Sequence, residues 1–296
     1  MDNMTALVSA FARAYHYRNS RVHVFSDDLA EKLLTDEEYA AISKNMSDGI
    51  SYFAPGFEGT PDEALRHVVD KQLAPSVLAR SAFCERAIDN AARIGCRQVV
   101  LYAVGYDTFP LRNRDSRLAV FELDMPAMIA DRWARIHRAG LEPACRVEAI
   151  GCDLSGPEWK DRMIRAGFDL GKPSFASLLG ISYYLTKGDF KRLIEGIASI
   201  CPEGSSVCLD YPMAEDGAEA RRNHELAAAA GEAMKAKYAY DEMEALLADA
   251  GFLIYEHMDA DEATGAFFAE YNREDPAHAM RAPEGVGYCL AVKKGN

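Results

Sequence analysis

The segment QVVLYAVGYDTFPLRN, Gln98 to Asn113, opens with a short apolar run that has no polar alternation. A strand covered by helices on both faces carries that signature. The run breaks at Gly105, and glycine lets a backbone turn and approach a ligand closely because it has no Cβ.

Working outward, the same grammar repeats. Upstream, Ser76 can cap a helix whose apolar positions are Phe83, Ala87, Ile88, Ala91 and Ile94, with Gly95 as its stop. Downstream, LAVFELD (Leu118 to Asp124) is a second buried strand, and Pro126 suits the first turn of the next helix. CRVEAIGCDL, SFASLLGISYY and SSVCLDY follow as further strands. Phe190, Leu193, Ile194, Ile197 and Ile200 share one helical face between the last two of these. DEMEALLADAGF predicts a helix ending at Gly251, and FLIYEHMD and GYCLAVKK predict the last strands. Alternating strands and helices predict an α/β fold, Rossmann-like and doubly wound, around a mostly parallel seven-stranded sheet. Residues 1–75 are polar and interrupted and are expected to form an N-terminal helical cap or lid on a core spanning 76–296. The alanine-rich, charged stretch 214–238 is surplus to the pattern and reads as a helical insert.

The 296 residues suit one large domain with an appendage. No run of 18 apolar residues occurs, which excludes a membrane-spanning helix and a membrane partner. The N-terminus lacks a basic segment before an apolar one, and seven cysteines without paired spacing suit reduced thiols, so a cytoplasmic location is expected. A net charge of −13 with scattered basic residues argues against nucleic acid as a partner and leaves a small-molecule substrate. No H-x-x-x-H or C-x-x-C pair occurs, so no metal is expected. The oligomeric state has no signature in the sequence.

In open parallel sheets, ligands bind at the carboxyl ends of the strands. Gly105 ends the first strand here, and Asp124 ends the second, 19 residues on, where a carboxylate can accept hydrogen bonds from ribose hydroxyls. Cys152-Asp153-Leu154 ends the third, and a carboxylate beside an apolar residue suits an adenine ring. Any one such aspartate is more often a turn residue, but the three strand ends together indicate an adenosine-containing cofactor. A nicotinamide dinucleotide needs a glycine-rich pyrophosphate cradle, and here Phe109-Pro110 stands where the third glycine belongs. Asp107 would repel a pyrophosphate but tolerates a sulfonium and an ammonium group, which favours S-adenosyl-L-methionine.

The motifs VHVFSDDLAEKLL, LARSAFCERAI, VVLYAVGYDTF, FELDMP, CDL and ISYYLT resemble those of the leucine carboxyl methyltransferase family, in its bacterial branch acting on small molecules. The resemblance runs from about Asp27 to the C-terminus and implies a class I methyltransferase fold. It implies that Arg80 pairs with the carboxylate of the methyl donor, and that Gly105, Asp124 and the adjacent Met125 hold its nucleoside side. It further implies adenine contacts from Asp153 and Leu154 and places Tyr184 near the transferred methyl. Two positions depart from the family pattern: Ala103 replaces the first loop glycine, and Leu179 replaces a glutamate that helps hold the donor. O-methylation of a carboxylate or hydroxyl on a small metabolite is therefore the expected activity. A degenerate, non-catalytic donor-binding protein is the alternative, and an NAD(P)-dependent oxidoreductase a weaker one. If the acceptor needs a base, His16, His224 and Tyr211 are the candidates. The aromatic and basic segment ARAYHYRNSR and the insert at 214–238 are expected to close over the substrate.

Overall fold

The computed structural model describes residues 4–214 and 234–295. Most of the expected insert, with His224, therefore lies outside the described residues.

Seven strands form one sheet in the order β3-β2-β1-β4-β5-β7-β6. They are β1 (Gln98–Tyr102), β2 (Ala119–Asp124), β3 (Arg146–Gly151), β4 (Ser174–Leu178), β5 (Ser206–Pro212), β6 (Phe252–Met258) and β7 (Val286–Lys293). β1 pairs in parallel with both β2 and β4, and only β7, between β5 and β6, runs antiparallel. This is the doubly wound α/β fold expected from the sequence.

All five residues of β1 and all five of β4 are buried, because helices cover both faces. The pleat sends alternate residues to two separate cores. Val99 and Leu101 join Phe11, Phe83 and Ile88 on one face, and Val100 and Tyr102 join Trp159, Phe190 and Ile194 on the other.

The N-terminal residues form α1 (Met4–Asn19), α2 (Asp36–Asp48), α3 (Ile50–Phe53) and α4 (Pro61–Val68). Thr35 with Glu38, and Thr60 with Glu63, close reciprocal capping boxes that start α2 and α4. A π-helical turn, Val69–Leu73, then carries the chain straight into α5 (Ala74–Arg93). The helix expected from Ser76 thus begins earlier and needs no side-chain cap. Pro75 has no N–H to leave unpaired and sits in the first turn of α5, where its ring is tolerated. The boundary at 75/76 falls inside this continuous helical run, and Ala10 and Phe11 of α1 belong to the same core as Phe83. Ile94, expected on the apolar face, follows the last turn and is 88% exposed.

The remaining helices near the site are the single turn α6 (Phe109–Arg112) and α7 (Pro126–Arg138), with Pro126 in its first turn as expected. α8 (Glu158–Arg165), α9 (Lys187–Ala198) and the helix Tyr240–Asp249 cover the opposite face. β4 is shorter than SFASLLGISYY predicted. It stops at Leu178, Gly180 turns the chain with φ +67°, and Ser182–Tyr184 form a short 3-10 helix. All seven cysteines are buried and unbridged, and no described helix is long and apolar enough to cross a membrane.

Candidate active site

The strand order reverses between β1 and β4, and a cavity of about 1020 Å³ opens at their carboxyl ends. Such a switch point is where open α/β sheets bind ligands. One wall is the continuous stretch Leu101–Asp107, and a second is Asp124–Met128 at the junction of β2 and α7. The end of β4 contributes Leu179, Gly180, Ile181 and Tyr184, α5 contributes Arg80, and α1 contributes Ser9 and Arg13.

The loop after β1 is held from several sides. Val104 donates its N–H to the Leu123 carbonyl at 3.1 Å, and Gly105 donates to Asp124 Oδ2 at 2.9 Å. The Met125 N–H reaches Asp124 Oδ1 at 2.7 Å. Burial pushes the Asp124 carboxyl above its ordinary value, and the two N–H donors act against that rise. Arg132 donates to the Gly105 carbonyl at 3.2 Å and to the buried Glu122 at 2.6 Å, locking α7 to β2 and to the loop. Ala103 and Gly105 both adopt left-handed backbone, with φ +52° and +51°.

From the other side, Arg13 of α1 donates to the Tyr106 carbonyl at 2.8 Å and to Asp27 Oδ2 at 2.8 Å. The Thr108 hydroxyl donates to the same Asp27 oxygen at 2.7 Å. Burial alone would raise the Asp27 carboxyl, but Arg13, Arg112 and the Thr108 hydrogen bond offset it and hold the group below its ordinary value. Asp27 is thus the buried knot between the N-terminal segment and the loop, a role the sequence did not disclose.

Arg80 reaches the cavity from α5. Its Nη2 donates to Ser9 Oγ at 3.3 Å, and its Nη1 lies 3.8 Å from Oδ2 of the buried Asp210 on β5. A Cβ at Gly180 would stand 2.8 Å from that Nη1, so glycine leaves the space the guanidinium crosses. Asp210 was also missed from sequence. Its signal was present as an acidic residue inside the apolar run SSVCLDY.

Seven of the expected site residues meet on the cavity wall: Arg80, Ala103, Gly105, Asp124, Met125, Leu179 and Tyr184. Four do not border the cavity. Asp153 is exposed, and its Oδ1 accepts the Ser155 N–H at 2.8 Å and hydroxyl at 2.7 Å, which holds its carboxyl below the ordinary value. Leu154 packs against the core on the α8 face. His16 is buried in α1, where its Nε2 accepts the Val24 N–H at 2.9 Å. Tyr211 is fully buried on β5, and its hydroxyl meets His257 Nε2 at 2.9 Å. His16 thus ties α1 to the segment that follows it, and Tyr211 ties β5 to β6, so neither of these candidate bases faces the cavity. Lys235 and Arg13 are wall residues that the sequence reading did not select.

The family model for leucine carboxyl methyltransferase matches residues 6–198. A Bacillus subtilis (strain 168) protein named "Putative S-adenosyl-L-methionine-dependent methyltransferase YktD" is 36% identical, over 99% of this chain and 98% of its own length. A Mycobacterium avium (strain 104) protein with the same style of name is 27% identical, over 69% of this chain and 64% of its own. Among solved structures, a DUF574 family protein from Streptomyces avermitilis superposes with a TM-score of 0.61 at 16% identity, covering 96% of this chain and 97% of that one. At that identity the likeness concerns the fold. The match to the family model across residues 6–198, and the near full-length relative, establish that the chain belongs to the leucine carboxyl methyltransferase family.

Proposed function

We propose that this chain transfers a methyl group to an oxygen of a small molecule bound in the cavity. The methyl donor is S-adenosyl-L-methionine, which when bound supplies a methyl carbon on a sulfonium whose sulfur leaves as a neutral thioether. The wall suits that donor chemically. Arg80 offers a planar fork for a carboxylate. Asp124 retains a free lone pair on each oxygen beyond its two backbone donors, enough to accept from a diol. The loop beside them carries a methyl at Ala103 and no side chain at Gly105.

A dinucleotide suits it less well. The helix after the loop is the four-residue α6, and the Asp107 carboxylate lines the cavity before it. A pyrophosphate site needs a longer helix start and no such carboxylate.

The observation that carries the acceptor assignment is the chemistry of the wall near Tyr184. Leu179, Ile181 and Tyr184 supply apolar and aromatic surface, and Lys235 supplies an ammonium group. Among the described wall residues none is histidine. An acceptor that arrives already ionised, a carboxylate, needs no base, and the lysine favours its charge. The chain's contribution is then to align the acceptor and exclude water, and such positioning is worth roughly 7–11 kcal/mol.

The test is calorimetric titration with S-adenosylmethionine, S-adenosylhomocysteine and NADH, followed by incubation of donor with small acids and phenols. Both sulfur ligands are expected to bind near micromolar, about −8 kcal/mol, with no heat from NADH and methyl esters among the products. No heat with either sulfur ligand sinks the donor assignment. Binding without transfer to any acid or phenol leaves the non-catalytic donor-binding alternative.

A further inference from the structure

We infer that Asp210 is a positioning residue: it aims Arg80 at the donor's amino-acid end, directly and by fixing the turn after β4 that the guanidinium crosses. The inference rests on the donor assignment above.

Asp210 is 1% exposed, in the middle of the sheet. A carboxylate there is costly unless its lone pairs are used. Its Oδ1 accepts the Gly180 N–H at 2.6 Å, and its Oδ2 accepts the Tyr183 hydroxyl at 3.0 Å. Its backbone carbonyl accepts the Ser182 hydroxyl at 2.8 Å. Three residues of the turn, Gly180, Ser182 and Tyr183, are thus pinned to one residue of β5. Burial, with the neighbouring Asp210 charge, pushes the Tyr183 phenol well above its ordinary value, so it remains a donor.

The fourth partner is Arg80, whose Nη1 lies 3.8 Å from Oδ2. That distance is too long for a hydrogen bond but close enough for strong attraction in a dry setting. The carboxylate is out of solvent, with its side chain 1% exposed, and the guanidinium side chain is 19% exposed where it meets the cavity. The carboxylate therefore sets the direction of the guanidinium without consuming its N–H groups, and those not donated to Ser9 Oγ stay available to an incoming carboxylate. Asp210 does not itself line the cavity, and the turn it holds leaves the space that the guanidinium crosses at Gly180, so its influence on a ligand passes through Arg80.

A double-mutant cycle with two ligands tests this. S-adenosylhomocysteine carries the amino-acid end, and 5′-methylthioadenosine shares the nucleoside and thioether but lacks it. Arg80→Ala and Asp210→Asn are each expected to weaken S-adenosylhomocysteine binding by about tenfold or more, as loss of a charged hydrogen bond does. Methylthioadenosine binding is expected to stay unchanged in both. Asp210→Asn is expected to add no further loss in the Arg80→Ala background. Additive losses, or equal weakening of both ligands, overturn the inference while leaving the donor assignment intact. Failure of both ligands to bind the unmodified chain overturns both. Should Asp210→Asn not fold, Tyr183→Phe replaces it in the cycle. It is expected to weaken S-adenosylhomocysteine by about threefold and to have no effect once Arg80 is alanine.

Discussion

Among the described residues Ala103 is the one non-glycine with left-handed backbone, at φ +52°. A Cβ in that conformation crowds the following carbonyl and costs about 1–2 kcal/mol. Ala103→Gly is therefore expected to stabilise the fold by about 0.5–1 kcal/mol, after allowing for the freedom glycine adds to the unfolded chain. The check is the urea midpoint at unchanged slope, and a lowered midpoint means that packing of the methyl outweighs its strain. The departure from glycine was legible in the sequence, but its backbone conformation was not. Asp153 shows the opposite case. As a strand-end aspartate it was easy to select, yet a local turn to Ser155 satisfies its carboxylate, and nothing in the sequence distinguishes that outcome from a ligand contact. Asp210 escaped because its meaning depends on Gly180, Tyr183 and Arg80, which only folding gathers.

At the scale of elements, the strands were legible because helices cover both faces of the sheet and leave continuous apolar runs. Their ends were less so. The apolar letters of LLGISYY continue past β4 because Leu179, Ile181 and Tyr184 face the cavity, so apolar character outlasts the strand. The start of α5 was obscured by the π turn before it. α1 is tied to the chain that follows it by His16, whose Nε2 accepts the Val24 N–H at 2.9 Å. The ring proton is then on Nδ1, facing Ser20 Oγ at 3.3 Å. Burial, reinforced by His23 and Arg66, lowers this histidine from 6.5 to about 3. Below 6.5 the unfolded chain takes up a proton that the folded chain refuses, so His16 costs stability as pH falls from 6.5 towards about 3. Its share of the slope is up to about 1.4 kcal/mol per pH unit. Urea unfolding of His16→Gln between pH 6 and 4 is expected to show a shallower pH dependence by about that amount. An unchanged slope would mean that the ring charges without disturbing the fold.

Over the whole molecule, one cavity is walled by segments that range along the chain from Thr5 in α1 to Lys235. The Tyr240–Asp249 helix packs on the opposite face of the sheet. Saturating S-adenosylhomocysteine is therefore expected to slow amide exchange in the cavity-facing turns of α1 and to leave locally opening amides of that distant helix unchanged. The added protection is bounded by ligand linkage at about 2.7 kcal/mol for a hundredfold excess over Kd. Identical exchange in α1 with and without ligand would remove it from any closing movement. The Asp27 knot also has a kinetic meaning. Arg13 and Thr108 already hold the loop through that buried carboxylate, at 2.8 and 2.7 Å. An arriving ligand meets a surface that is already shaped, so its capture is set by encounter rather than by rearrangement. Loosening the knot turns capture into a two-step event, in which loop ordering sets the pace and the observed on-rate levels off as ligand concentration rises.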